Sequence, residues 1–237
     1  MARHLDLEEQ EQLDQLKHFW KQYGNLITWV LILVLGAFAA WNGWQYWQRQ
    51  QSAQASALYD EVERAAEAGD LARVERAFSD MRERFAGTLF TQQAGLLAAK
   101  ALTEKGKPDA GKAALSWVAE QASDDGYRAL ARLRLAGVLV EAKAYDDALK
   151  QLTGPFPGEF EALAADRRGD IYVLQGKRAE AKAEYTKAWQ GLETRSEYRG
   201  LIEVKLNSLG VDTEALQQAK APAAAASGAA TPGAAKP

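Results

Sequence analysis

Arg167–Trp189 reads RRGDIYVLQGKRAEAKAEYTKAW, and the spacing of its small and aromatic residues decides the fold. Gly169 and Tyr172 lie three apart, while Ala181, Tyr185 and Ala188 follow at steps of four and three. Such steps bring side chains onto one face of a helix. Between the two sets stands Gln175-Gly176-Lys177, with a glycine where one helix must stop and the chain must turn. The stretch is therefore two helices and a tight turn. Gly169, Ala181 and Ala188 let the paired helices touch, and Tyr172 and Tyr185 plug the groove between neighbouring hairpins.

Upstream, the same hairpin recurs. RAAEAGDLARVERAF, KALTEKGKPDAGKAAL and GVLVEAKAYDDALKQL each hold a helix, a short turn and an Ala-rich helix. Their turns centre on Gly69, Gly106 and Lys143, giving spacings of 37, 37 and 33 residues down to Gly176. A helical hairpin repeated at that period marks a tetratricopeptide-like solenoid. The third unit keeps Ala136 and Ala148 at the small-residue offsets, but Gly154-Pro155-Phe156-Pro157-Gly158 must cut its second helix short. A last helix over Ser196–Ser208 is expected to cap the stack. Val and Ile are sparse between Gln48 and Gly210, and good helix formers dominate. The predicted class is all-α: one transmembrane helix, then a tetratricopeptide-like solenoid of about four helical hairpins plus a capping helix.

The transmembrane helix is read from Leu26–Trp47. Only Thr28 is polar between Leu26 and Trp41, and about 20 helical residues cross the ~30 Å core of a bilayer. Five of the chain's 7 tryptophans gather here: Trp20, Trp29, Trp41, Trp44 and Trp47, joined by Phe19, Tyr23 and Tyr46. Amphipathic rings of this kind settle at the two membrane–water boundaries. Gly36, Ala40 and Gly43 form a small-residue stripe along the span, the candidate face for a partner's helix. Ala37-Phe38-Ala39 imitates a cleavage site, but the region before it is too long and too acidic for a signal peptide, so the span is an uncleaved anchor. Lys17 and Lys21 precede the span and Arg49 follows it, which favours a cytoplasmic N-terminus. The expected organisation is a cytosolic helix over 1–24, the span over 25–47, the repeat domain over 48–210 and a disordered Ala/Pro-rich tail over 211–237.

The composition removes whole classes of chemistry. With no cysteine, disulfides, iron–sulfur clusters and thiol catalysis are excluded. The two histidines, His4 and His18, both precede the span, so the repeat domain has no imidazole for acid–base work or metal binding. A net charge of -3 does not suit nucleic acid. No phosphate-binding glycine loop occurs. The carboxylate pairs Asp124-Asp125, Asp146-Asp147 and Glu61 with Glu63 are read as caps at helix starts, and Trp117 and Trp189 as core plugs. No catalytic residue, cofactor or metal is expected. What remains is surface: stacked hairpins form a concave face for protein partners. On the repeat alignment Gln93, Lys100, Glu141, Asp166 and Asp170 point towards it. The Phe156–Phe160 loop is a second candidate contact.

The leader EEQEQLDQLKHFWKQYGNLI, the single span behind it, the Arg167–Trp189 repeat and the closing Ile202–Gly210 helix together resemble the bacterial ancillary SecYEG translocon subunits. The likeness covers nearly everything up to Gly210, and the leader beside the span is its more specific part. It implies an inner-membrane protein with its repeat domain in the periplasm. The implied partners are the Sec translocon, a membrane-anchored periplasmic chaperone of the prolyl-isomerase type, and translocating polypeptides passed onward. A cytosolic regulatory role in an envelope-stress response is also linked to the family, and none of its members is known as an enzyme. Two alternatives stand beside this reading. One is a repeat adaptor for another cell-envelope assembly; the other is a hydrolase working through carboxylates such as Asp166 and Asp170.

Overall fold

The computed structural model describes residues 7–216. The first six residues of the leader and the Ala/Pro-rich tail from 217 onward lie outside the described residues. Every element among the described residues is helical: α1 (Leu7–Ala68), α2 (Leu71–Phe85), α3 (Leu89–Glu104), α4 (Pro108–Gln121), α5 (Asp125–Glu141), α6 (Tyr145–Gln151), α7 (Gly158–Leu174), α8 (Arg178–Gly191) and α9 (Glu197–Ser208). The chain divides into two compact units, one ending at Gln54 and the other beginning at Ala55.

In the first unit, leader and span are one uninterrupted helix. No break occurs at Gly24-Asn25; the Thr28 hydroxyl donates to the Gly24 carbonyl at 2.7 Å. A Cβ at Gly24 would stand 3.2 Å from the Trp20 ring, so the glycine leaves room for that indole along the helix. Phe19 pairs with Tyr23 and Trp44 with Trp47, ring centroids 5.2 and 5.3 Å apart. From Leu26 to Phe38 the large apolar side chains stand exposed. At about 25 cal/mol per Å² of apolar surface, water is a poor solvent for such a helix. It is long and apolar enough to cross a membrane, with mean hydropathy reaching 1.9.

The second unit is the repeat array. The end of α1 with α2, α3 with α4, α5 with α6 and α7 with α8 form four hairpins, and α9 packs on α8 to close the stack. Successive helices reverse direction through short turns, so α3, α5 and α7 point the same way. Each turn is built alike. Gly69, Gly106, Lys143 and Gly176 have φ of 74°, 94°, 58° and 75°. The next amide in each case donates five residues back: Asp70 to Ala65, Lys107 to Leu102, Ala144 to Leu139 and Lys177 to Tyr172, all at 2.8–2.9 Å. This is the left-handed C-terminal closure that satisfies the last carbonyls of a helix. Glycine adopts it without strain; Lys143 does so at about 1 kcal/mol.

Two neighbouring clusters make the core. The larger runs from Ala55 to Ile171, and the smaller joins Ala165 of α7, Ala181, Tyr185, Ala188 and Trp189 of α8, and Ile202 and Leu206 of α9. Tyr172 packs on the second cluster. Gly169 is a point of very close approach between α7 and α8: a Cβ there would lie 2.5 Å from the Tyr185 ring. The Pro155–Pro157 loop does shorten α6 to seven residues. Arg168 then ties that early end to the next hairpin, donating to the Leu152 carbonyl at 2.8 Å and to Glu184 at 2.7 Å. Burial pushes the Glu184 carboxyl up, but hydrogen bonds from Lys187 and Arg168 hold it below the ordinary carboxylate value.

Three expectations need correction. Glu61 and Glu63 lie inside α1, not at a helix start, and Glu61 instead accepts from Arg73 at 2.9 Å across the Gly69 turn. The true caps of α2 and α3 are Asp70 and Thr88, alongside Asp124 of α5. The Phe156 loop is structural: the ring is buried, with the Arg132 guanidinium 4.1 Å from its centroid. That same guanidinium donates to the carbonyls of Gln151, Thr153 and Pro155, so one side chain takes up three carbonyls around the loop. Finally, the packed chain continues past Gly210. Val211 and Leu216 pack on the second cluster, and Thr213 is buried with its hydroxyl donating to Glu203 at 2.9 Å.

Replacing Gly169 by alanine should lower the stability of the repeat unit by about 1–3 kcal/mol, the usual cost of overpacking a filled core. Thermal unfolding followed by circular dichroism measures it, and Gly137→Ala, where the added carbon meets nothing within 4 Å, is the control that should not.

Candidate functional site

Stacking sets the first helices of successive hairpins side by side. Two adjoining hollows lie there. One, of about 320 Å³, sits between α3 and α5. The other, of about 520 Å³, sits between α5 and α7 and is bounded at its far end by Tyr198 of α9. Both share Arg134, Gly137 and Glu141 of α5. These three lie at i, i+3 and i+7, one face of the helix, so the hollows are two halves of a single groove. Gly137 keeps its centre open, since a side chain there would meet nothing within 4 Å. The floor is apolar, with Leu96, Leu115 and Val138 at one end and Leu133, Leu163 and Ile171 at the other.

Three of the five concave-face residues read from the repeat alignment are on this wall: Lys100, Glu141 and Asp170. Gln93 is half-buried and is not among the wall residues. Its neighbour Gln92 is fully buried and donates to the Ser123 hydroxyl at 2.7 Å, a structural contact between hairpins. Asp166 corrects the reading outright. It is 1% exposed, beneath the groove and not on it.

Asp166 belongs to a buried charge cluster that fastens α9. Lys205 of α9 donates to Asp166 and to Asp170, both at 2.7 Å. Tyr198 donates to Asp166 at 2.5 Å and Tyr185 to Asp170 at 2.7 Å. Lys205 also stands 5.3 Å from the Tyr185 ring centroid, and Arg199 stacks 4.0 Å over Trp189. Two carboxylates sharing one ammonium and two phenols are well satisfied, which is the condition for burying charge at all. The arrangement gives Asp166 no open face for a substrate, and Asp170, on the groove wall, is already engaged by Lys205 and Tyr185. The end wall of the groove is therefore held by ion pairs. The sequence carried no local signal of this, because Lys205 lies 39 residues from Asp166.

The groove can bind but holds little that reacts. Among the described residues no three His, Asp or Glu side chains come together as a metal site. On the first unit, Gly36, Ala40 and Gly43 lie on exposed helix surface, and neither Gly36 nor Gly43 has any atom within 4 Å of an added Cβ. The signature residues Gly169, Ala181, Tyr185 and Ala188 are buried, so they set the packing and stay off the surface.

Burial first, and then the hydrogen bond to Asp166, raise the Tyr198 phenol above its ordinary value; burial and Asp170 do the same for Tyr185. Raised in the folded state, both keep their protons at a pH where the unfolded chain's tyrosines ionise. Their contribution is full below about pH 10 and is lost as pH rises towards the folded values. Melting temperatures of the full chain should therefore fall as pH rises above about pH 10. Tyr198→Phe should start lower, having lost a hydrogen bond, and fall less steeply; parallel curves would contradict the assignment.

The tetratricopeptide repeat-like domain family model matches residues 17–211. Over 210 residues the chain is 32% identical to the protein of Neisseria gonorrhoeae called ancillary SecYEG translocon subunit, covering 88% of this chain and 100% of that one. The protein of the same name from Haemophilus influenzae is 30% identical over 86% of this chain and 98% of its own length. That of Escherichia coli is 26% identical over 86% and 97%.

Proposed function

Since the chain belongs to the family of ancillary SecYEG translocon subunits, built on a tetratricopeptide repeat-like domain, we propose that it is a non-catalytic, membrane-anchored scaffold that receives translocated polypeptides and passes them to periplasmic chaperones. The observation that carries this reading is the reach of the likeness, which takes in α1 and its span as well as the repeats and covers the whole Neisseria relative. In this reading residues 25–47 of α1 cross the bacterial inner membrane, the N-terminus is cytoplasmic and the repeat unit is periplasmic. The lysines at 17 and 21, against Arg49 alone on the other side, support that orientation. The exposed stripe of Gly36, Ala40 and Gly43 would let a translocon helix approach closely. The apolar groove, rimmed by Lys100, Arg134, Glu141 and Asp170, would hold polypeptide. A membrane-anchored chaperone of the prolyl-isomerase type, implied by the family resemblance, is the receiver.

A photo-crosslinker at Gly36 or Ala40 in native membranes should trap translocon subunits. Purification in mild detergent should co-elute them with the chaperone; recovery of a different envelope assembly would favour the adaptor reading instead. A reporter active only in the periplasm, fused after Gly210, should be active. Cytoplasmic activity would overturn the orientation.

A further inference from the structure

Charge along the groove is ordered, and we propose that its occupant is an amphipathic helix carrying acidic residues along one flank of its apolar stripe and basic residues along the other. This rests on the reading that the groove takes polypeptide. Each of the three parallel helices places a cation ahead of an acid: Lys100 before Glu104 on α3, Arg134 before Glu141 on α5, and Arg167 before Asp170 on α7. Because the helices point the same way, Lys100 and Arg134 fall towards one edge of the apolar floor and Glu104 and Glu141 towards the other, while Arg167 and Asp170 of α7 stand together, 3.9 Å apart.

That order works against the helices that carry it. Glu104 and Glu141 are the last residues of α3 and α5, and neither helix has a basic residue in its last turn. The carbonyl end of a helix is negative, so a carboxylate there is repelled by some tenths of a kcal/mol. Lysine four residues ahead of glutamate is also the weaker orientation of an i,i+4 pair. Among the described residues, Lys100, Glu104, Arg134 and Glu141 form no ion pair. The α7 pair is the exception, since Asp170 is held by Lys205 and also pairs with Arg167. Local penalties without a local compensation are the mark of a surface shaped for something else. The unpaired charges of α3 and α5, cations to one side of the apolar trough and acids to the other, complement a ligand that brings the opposite sign to each edge.

Geometry selects a helix as that ligand. A strand presents two faces, because its side chains alternate, and cannot show apolar, acidic and basic faces together. A helix can. Its apolar stripe would lie over Gly137, its acids towards Lys100, Arg134 and Arg167, and its bases towards Glu104 and Glu141.

The test uses the full chain in lipid nanodiscs, with empty nanodiscs as the blank. Two fluorescent model helices of identical composition share a leucine stripe. In one, Glu and Lys are segregated to opposite flanks; in the other they are mixed on both. Anisotropy titration should find the segregated helix bound roughly tenfold more tightly, about 1.4 kcal/mol, and Glu141→Arg should remove that advantage without weakening the mixed helix. Gly137→Trp, at an open position, fills the trough and should abolish both; circular dichroism checks that it folds. Equal affinities, both lost in Gly137→Trp, would overturn charge segregation and leave the polypeptide groove standing. Binding unchanged by Gly137→Trp would remove the groove reading and this proposal with it.

Discussion

One hydrogen bond governs the architecture: the amide just past each turn reaching back to a carbonyl five residues earlier. It forces the residue between into the left-handed region, so each helix ends at a fixed point and the next leaves at a fixed angle. Asp70, Lys107, Ala144 and Lys177 all make it. Identical closures give hairpins of the same geometry, and hairpins of the same geometry stack into an array with one concave side. The groove, its charges and its end wall all follow from that regularity. Lys143 shows how strong the constraint is, since the third turn keeps the conformation at φ 58° without a glycine.

The closure occurs a fifth time. Gly210 ends α9 at φ 79°, and Val211 donates to Leu206 at 3.1 Å. Gly210 stands 34 residues after Gly176, the period of the rest. Asp212 then receives the amides of Glu214 and Ala215, as a residue starting a helix does. So α9 closes the stack and also leads, through the same turn, into a further helical turn beginning at Thr213. Composition hid this: the Ala/Pro-rich tail begins close behind, and a shift towards small residues draws attention away from Leu216 and Thr213, which still pack.

Elements whose causes are local were legible. The period of turn residues located all four hairpins, and the Gly154–Gly158 prolines predicted the short α6. Features depending on partners distant in sequence were not. Phe156 looked free because its cover, Arg132, lies on α5, beyond the whole of α6. Asp166 looked like surface because the repeat alignment gives a direction but not a depth, and the lysine that buries it comes from α9. Periodicity alone assigned Gln93 to the face and passed over Gln92, whose bonds to Ser123 and Asp124 cross two helices. The same limit applies to the groove. Its wall residues Lys100, Glu141 and Asp170 follow from the repeat, whereas its continuity through Arg134 and Gly137 needs coordinates.

The two treatments of charge in this unit have different physical meanings. Around Asp166 one carboxylate is buried and the other, Asp170, half-buried, and each receives two hydrogen bonds from among Lys205, Tyr185 and Tyr198. Removing a partner there would leave a buried charge uncompensated. Along the groove the charges of α3 and α5 are solvated and unpaired, and Glu104 and Glu141 are set against the helix dipoles. The first arrangement holds a helix in place and has no need of a ligand. The second gains nothing from the fold that carries it, so the interactions that favour it must come from outside the chain.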